Sequence, residues 1–285
     1  MATAALRTIV AQVVGTVLVS TLAIQCAGGS RSTLALQIAA AVVGGFVAVA
    51  AGRWGRSPGL GAARVLLGVT FAVEVYVLLV GVPMEGVRRW IALGPIQLHP
   101  ASLLVPLAAW IAARRLDGIA AALLAGLFLV LAAQPDAASV LALTLGVAIG
   151  IITTHATRRG VAALALLGVV CSAYAFTRHD PLPAVAHVER VIVNAFAVSP
   201  SVGILAALAM AALPLAMVWR RRSPETLALA GVWTGFALAN LLGNYPAPVI
   251  GAGASPMLGW LLSIGLACVA RDKADLRADA RDRNG

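Results

Sequence analysis

The chain has 285 residues, of which 61% are hydrophobic and 11% charged, and its mean hydropathy is +0.94. A soluble domain carries about 25% charged residues, and surface-to-volume scaling leaves much of any globule of this size wet, so a water-soluble fold is excluded. The net charge of +10 and pI of about 11.1 would suggest nucleic acid in a soluble protein, but the placement of the charges gives a different account below.

In lipid, every backbone polar group must be satisfied internally, which leaves helices or closed barrels. Barrel strands alternate apolar and polar residues. Here the apolar runs are continuous and rich in Ala, Leu and Val, so the expected class is all-α and polytopic. In chain order the runs fall at 8–28, 33–52, 64–82, 98–113, 118–134, 138–154, 161–177, 201–219, 226–243 and 254–270. That is about ten spans, several of them shorter than the roughly 20 residues a bilayer asks for. The first run lacks a small-residue cleavage site after it and more spans follow, so it reads as a span and not as a cleavable signal peptide. Cys26, Cys171 and Cys268 lie inside apolar runs and read as small core residues, not as a disulfide or metal framework. The expected organisation is one transmembrane domain over 1–270 and a solvated, charged tail over 271–285.

With the N-terminus inside, the inner segments hold Arg7, Arg53, Arg56, Arg64, Arg114, Arg115, Arg158, Arg159, Arg220, Arg221, Arg222, Arg271, Lys273, Arg277, Arg281 and Arg283. The outer loops hold Arg31, Arg88, Arg89, Arg178 and Arg190. This bias puts both termini in the cytoplasm and explains the basic pI by anchoring to membrane lipid, so no nucleic-acid partner is expected.

The unusual residues lie on the outer side. The third loop runs from Glu85 to Pro100, the fifth is Gln134-Pro135-Asp136, the seventh spans 178–200, and the ninth is rich in Gly and Pro over 243–256. Arg88, Arg89 and Arg190 depart from the orientation rule. An outward phosphate or carboxylate would explain them, since the guanidinium fork matches such anions. Snorkelling beside Trp90 is the other reading. Gln134 to Asp136 reads either as part of a site or as a turn capping the next helix, and the ninth loop as site or linker. His179 and His187 read as solvated or hydrogen-bonded, because no His/Cys/Asp spacing forms a metal site. A helix over 183–199 would group His187, Arg190 and Asn194 on one face and leave Glu189 on the apolar one. A carboxylate there requires an ion pair or a wet cavity. Glu74, inside the third span, is a secondary candidate.

Arg88-Arg89-Trp90-Ile91-Ala92-Leu93-Gly94 followed by Ile96-Gln97-Leu98-His99-Pro100 resembles the "RWI-LG…QPSE" signature of the SEDS family of cell-shape and cell-division proteins. Gln134-Pro135-Asp136-Ala137-Ala138-Ser139 resembles its "QPDxGT", and Pro248 to Ser255 aligns without a gap to its "PFxSYGGS". Laying residues 186–203 on the family's "HTDFxFAxxGEExG" puts His187 on the His and Glu189 on the Asp. The resemblance, from about residue 60 onward, implies a multi-pass protein of the bacterial cytoplasmic (inner) membrane. It implies polymerisation of lipid II into glycan strands on the outer face, beside a single-span class B penicillin-binding transpeptidase. It assigns the catalytic carboxylate to Glu189 and substrate binding to Arg88, Arg89, Gln134, Asp136, His187, Arg190 and Ser255. No resident metal is implied, though a divalent cation would suit the diphosphate. The chain departs from the family at Ser102 (Glu there), Val105 (Lys), Ala197 and Val198 (both Glu), and Gly251 and Ala252 (Ser and Tyr). A catalytically inactive, precursor-binding relative and a flippase of lipid-linked sugars are therefore the alternative expectations.

Overall fold

The computed structural model describes residues 2–53, 58–154, 159–178, 180–219 and 221–269. The tail at 271–285, His155, His179 and the inner-loop residues Arg56, Arg158 and Arg220 lie outside them.

Each expected apolar stretch carries an apolar helix. In order these are α1 (Ala2–Cys26), α2 (Arg31–Arg53), α3 (Leu60–Val80), α4 (Pro100–Ala112), α5 (Gly118–Ala133), α6 (Ala137–Thr154) and α7 (Arg159–Thr177). A short α8 (Val191–Val198) precedes α9 (Pro200–Ala212), α10 (Leu215–Val218), α11 (Pro224–Leu242) and α12 (Ala254–Cys268). Four of these, α1, α2, α3 and α11, are long and apolar enough to cross a membrane by themselves, and six others are shorter apolar helices. The architecture is that of an all-α polytopic membrane protein.

Proline explains the interruptions. Ser199 is extended (φ −149°, ψ 105°) because the residue before a proline is pushed out of the α region, and this separates α8 from α9. Pro214 lacks an N–H and divides α9 from α10. The eighth expected run, 201–219, is thus a broken helix. The seventh loop also differs from the expected helix over 183–199: residues 181–185 have no regular secondary structure, 186–189 form a turn, and the helix begins only at Val191.

The first three helices are mostly surface, with 22–28% of their spanning windows buried, whereas 56% of the α11 window is buried. The interior is therefore α4, α6, α11 and α12, wrapped by the others. With no water to expel, helices in lipid associate through close contact at small residues. A Cβ at Gly235 would stand 2.5 Å from Ala142 of α6, and one at Gly265 would stand 2.4 Å from the Ala48 carbonyl of α2. These pairs are backbone-to-backbone crossings.

The third loop is folded. Residues Val82–Met84 (β1), Val87–Leu93 (β2) and Ile96–Leu98 (β3) make an antiparallel sheet in the order β1-β2-β3. Both turns are chemically specified. Glu85 (φ 48°) and Gly86 (φ 84°) form a two-residue turn with positive φ at both positions, and Gly94 (φ 60°) opens the Gly-Pro turn.

Candidate active site at one end of the bundle

The sheet, the α5–α6 turn, the 178–190 segment and the α11–α12 loop gather at one end of the bundle, around a cavity of about 150 Å³. Its basic and carboxylate side chains are those of Arg89, His99, Asp136 and Glu189. Its other walls include Trp90, Ser102, Trp233, Phe236 and Tyr245.

Strand parity sorts the two arginines. Successive side chains of β2 point to opposite faces, so Arg89 is buried (5% exposed) while Arg88 is exposed. Arg88 bonds the Leu79 carbonyl and does not line the cavity. Arg89 ties three segments together. It donates to the carbonyls of Gln134 (3.3 Å) and Pro135 (2.6 Å) and to Asp180 Oδ2 (2.8 Å). Its charge is matched before any ligand enters.

Asp136 both caps the next helix and lines the cavity. Oδ1 accepts the Ser139 N–H (3.1 Å), as an N-cap does for α6. Oδ2 lies 3.0 Å from His99 Nε2 at the cavity wall. Burial raises its pKa, but His99, Arg89 and the Ser139 hydrogen bond outweigh that and hold the carboxyl below the usual range. Gln134 points away from the cavity. Its Nε2 donates to Glu74 at the carbonyl (2.9 Å) and at Oε2 (3.3 Å). Glu74 itself is 1% exposed, so this candidate pairs across helices and does not line the cavity.

Glu189 sits in the 186–189 turn, outside α8, so the expected helical face does not describe it. Its Oε2 accepts the Val185 N–H (2.8 Å), and the Asn240 amide holds its carbonyl (3.1 Å). Among the described residues it has no ion-pair partner, and of the two settings expected for it, ion pair or cavity, it occupies the cavity. Burial, with a smaller push from Asp180, raises its pKa against the Val185 hydrogen bond. The carboxyl is thus one that takes up a proton more readily than an ordinary glutamate. The α11–α12 loop buttresses the turn: Ala247 N–H donates to Val188 O (3.2 Å) and Ala252 N–H to His187 O (2.8 Å).

His187 contributes this backbone carbonyl, and neither its side chain nor exposed Arg190 lines the cavity. Ser255 is buried one layer back, where its Oγ accepts the His99 N–H (2.8 Å) and joins α12 to the start of α4. Among the described residues no group of three or more His, Cys, Asp or Glu side chains is arranged to hold a metal.

Sequence reasoning missed His99, Ser102 and Tyr245. The first two lie three residues apart at an "H-P" helix start, which was a readable signal. Tyr245, whose burial pushes its phenol up to about 12, gave none.

The backbone is similar to solved structures over nearly its whole length. One is the rod-shape-determining protein RodA of Thermus thermophilus, with a TM-score of 0.60 and 21% identity over 91% of this chain and 94% of that one. An Asp-to-Ala mutant of it matches with a TM-score of 0.64 over 91% and 95%. A chain of a peptidoglycan synthase complex, solved for the coordination of polymerization and crosslinking, matches with 0.65 and 21% identity over 92% and 96%. No protein-family profile matches the chain, and no curated protein matches it in sequence. At this identity the likeness establishes the fold, which is that of RodA.

Proposed function

We propose that the chain is a SEDS-type protein of peptidoglycan synthesis in the bacterial cytoplasmic membrane. In this reading the cavity opens on the outer face and lipid II is polymerised there into glycan strands, beside a class B penicillin-binding protein. The observation that carries it is Glu189, a half-buried carboxylate without an ion-pair partner among the described residues, facing the cavity it shares with Arg89 and Asp136. The RodA-like backbone supports the fold, and the basic residues at the opposite end support the orientation.

Glycan extension requires a base for the acceptor sugar hydroxyl while a diphosphate departs from the donor. Glu189 suits the role of base, because its raised affinity for a proton brings it closer to the working pH, where general bases are most effective. The Val185 N–H holds one oxygen and leaves the other for the substrate. Arg89 fixes the α5–α6 turn, and with it Asp136, against the 178–190 segment. A diphosphate entering this cavity meets a guanidinium already paired with Asp180.

That pairing favours the second reading, a protein that holds a lipid-linked precursor or a synthase partner without catalysing its transfer. One assay separates the two. Purified protein in detergent is given lipid II, with and without a class B transpeptidase and with and without Mg²⁺ or Mn²⁺, beside Glu189→Ala. Glycan strands from the wild type and none from the mutant support catalysis. No glycan under any partner or metal condition leaves the binding protein.

A further inference from the structure

Asp136, His99 and Ser102 stand in a line along the cavity wall. His99 Nε2 is 3.0 Å from Asp136 Oδ2, and His99 Nδ1 is 2.7 Å from Ser102 Oγ. All three line the cavity that holds Glu189. The arrangement is fixed from several sides. His99 is the N-cap residue of α4, its backbone N–H is held by Ser255, and its ring packs against Trp90 at 5.9 Å between centroids. Ser102 lies three residues on, in the first helical turn. Asp136 is locked by its cap on α6. A hydroxyl within hydrogen-bond reach of an imidazole, itself oriented by a carboxylate, is the arrangement by which side chains move protons to and from a bound group.

We infer that Asp136, His99 and Ser102 form a proton relay that protonates the departing diphosphate, so that the cavity carries an acid to match the Glu189 base. This rests on the glycan-polymerising reading. As an imidazolium, His99 sets Nε2 at ion-pair distance from Asp136 Oδ2 and donates through Nδ1–H to Ser102 Oγ, which leaves the serine O–H to face the ligand. In the step, the acceptor oxygen bonds to the donor's anomeric carbon and its proton passes to Glu189. The bond from that carbon to the diphosphate oxygen breaks, and the electron pair leaves with the diphosphate. Ser102 gives its proton to that diphosphate as it takes one from Nδ1, and His99 is left neutral with its remaining proton on Nε2, beside Asp136. Ser102 is the catalytic residue of the relay, and His99 and Asp136 are positioning residues that act through it. The groups around the imidazole are Asp136 from the α5–α6 turn, Arg89 from β2, Glu74 from α3 and Glu189 from the 186–189 turn.

The test is the pH dependence of kcat/KM for glycan polymerisation from lipid II. The wild type gives a bell, with an acid limb from Glu189 and an alkaline limb from the relay. His99→Gln lowers the rate roughly 100-fold, the lower end of what a positioned acid supplies, and removes the alkaline limb. Added imidazole restores part of the activity of His99→Ala. Ser102→Ala, which removes a single oxygen, shows the same loss without rescue. An alkaline limb that survives in His99→Gln, or a wild-type profile in Ser102→Ala, overturns the relay and leaves the glycosyltransferase reading standing. A wild type that makes no glycan overturns both.

Discussion

Gly251 offers a perturbation whose size is set by the structure. A Cβ placed there would stand 2.3 Å from the Val188 carbonyl oxygen and 3.0 Å from that of Ala247. Both obstacles are backbone, so no side-chain rotation relieves the first contact. Ordinary contact begins at 3.4 Å, and Gly251→Ala therefore pushes the 186–189 turn and the α11–α12 loop apart by about an ångström. Val188 precedes Glu189, so the Glu189 carboxylate moves by a similar amount. A misplacement of that size costs on the order of 100-fold in rate, while overpacking at one site costs about 1–3 kcal/mol of stability. The expected variant folds, elutes with the wild type and polymerises lipid II about 100-fold more slowly. Gly45→Ala, on α2 with nothing within 4 Å of its Cβ, serves as the control. If Gly251→Ala matches the wild type in rate, the claim that this contact positions Glu189 is wrong.

Three further outcomes follow from the same geometry. Arg89→Met strands a buried carboxylate (side chains 6% and 13% exposed for Arg89 and Asp180) and is expected to cost about 3–5 kcal/mol. Arg89→Met with Asp180→Leu recovers much of that cost, and SDS titration in mixed micelles reads the non-additivity. Arg88→Ala removes an exposed side chain outside the cavity and leaves glycan output within about twofold of the wild type, against a loss of about 100-fold or more expected of a substrate clamp. The acid limb of the rate profile reports Glu189. A base works as the carboxylate, and burial raises its pKa, so activity falls with decreasing pH at a point above the ordinary glutamate range. An acid limb at or below that range would contradict the placement.

The helices were legible because lipid imposes long apolar runs, and α1 to α7 lie within a few residues of where hydropathy puts them. Pro200 and Pro214 were visible, but hydropathy alone does not register a break between two apolar segments. The third loop was harder. Glu85-Gly86 and Gly94-Pro95 are hairpin turns by composition, yet the short strands between them are hidden in a motif that reads as a linear string. Treating Arg88 and Arg89 as equivalent was the consequence, and only the two-residue period of β2 separates them. Glu189 was identified by its cost in an apolar setting, although its setting is a turn and not a helix. His99 and Ser102 escaped because their meaning depends on Asp136, 34 residues beyond Ser102, which only the packing of α4 against α6 brings near.

Two of the departures from the family signature, Ser102 and Ala252, line the cavity. Ser102 stands in place of a glutamate, and His99 stands in place of the glutamine three residues before it. Burying Asp136 without a cation would be costly, so a histidine opposite it has a structural reason to be there. That reason does not extend to the other ring nitrogen. A purely structural pair needs nothing at Nδ1, which here meets a hydroxyl at 2.7 Å on a residue facing the cavity. In the signature this wall offers a carboxylate. Here it offers an imidazole whose two nitrogens lie 3.0 Å from a buried acid and 2.7 Å from a cavity hydroxyl, the contacts on which the proposed relay rests.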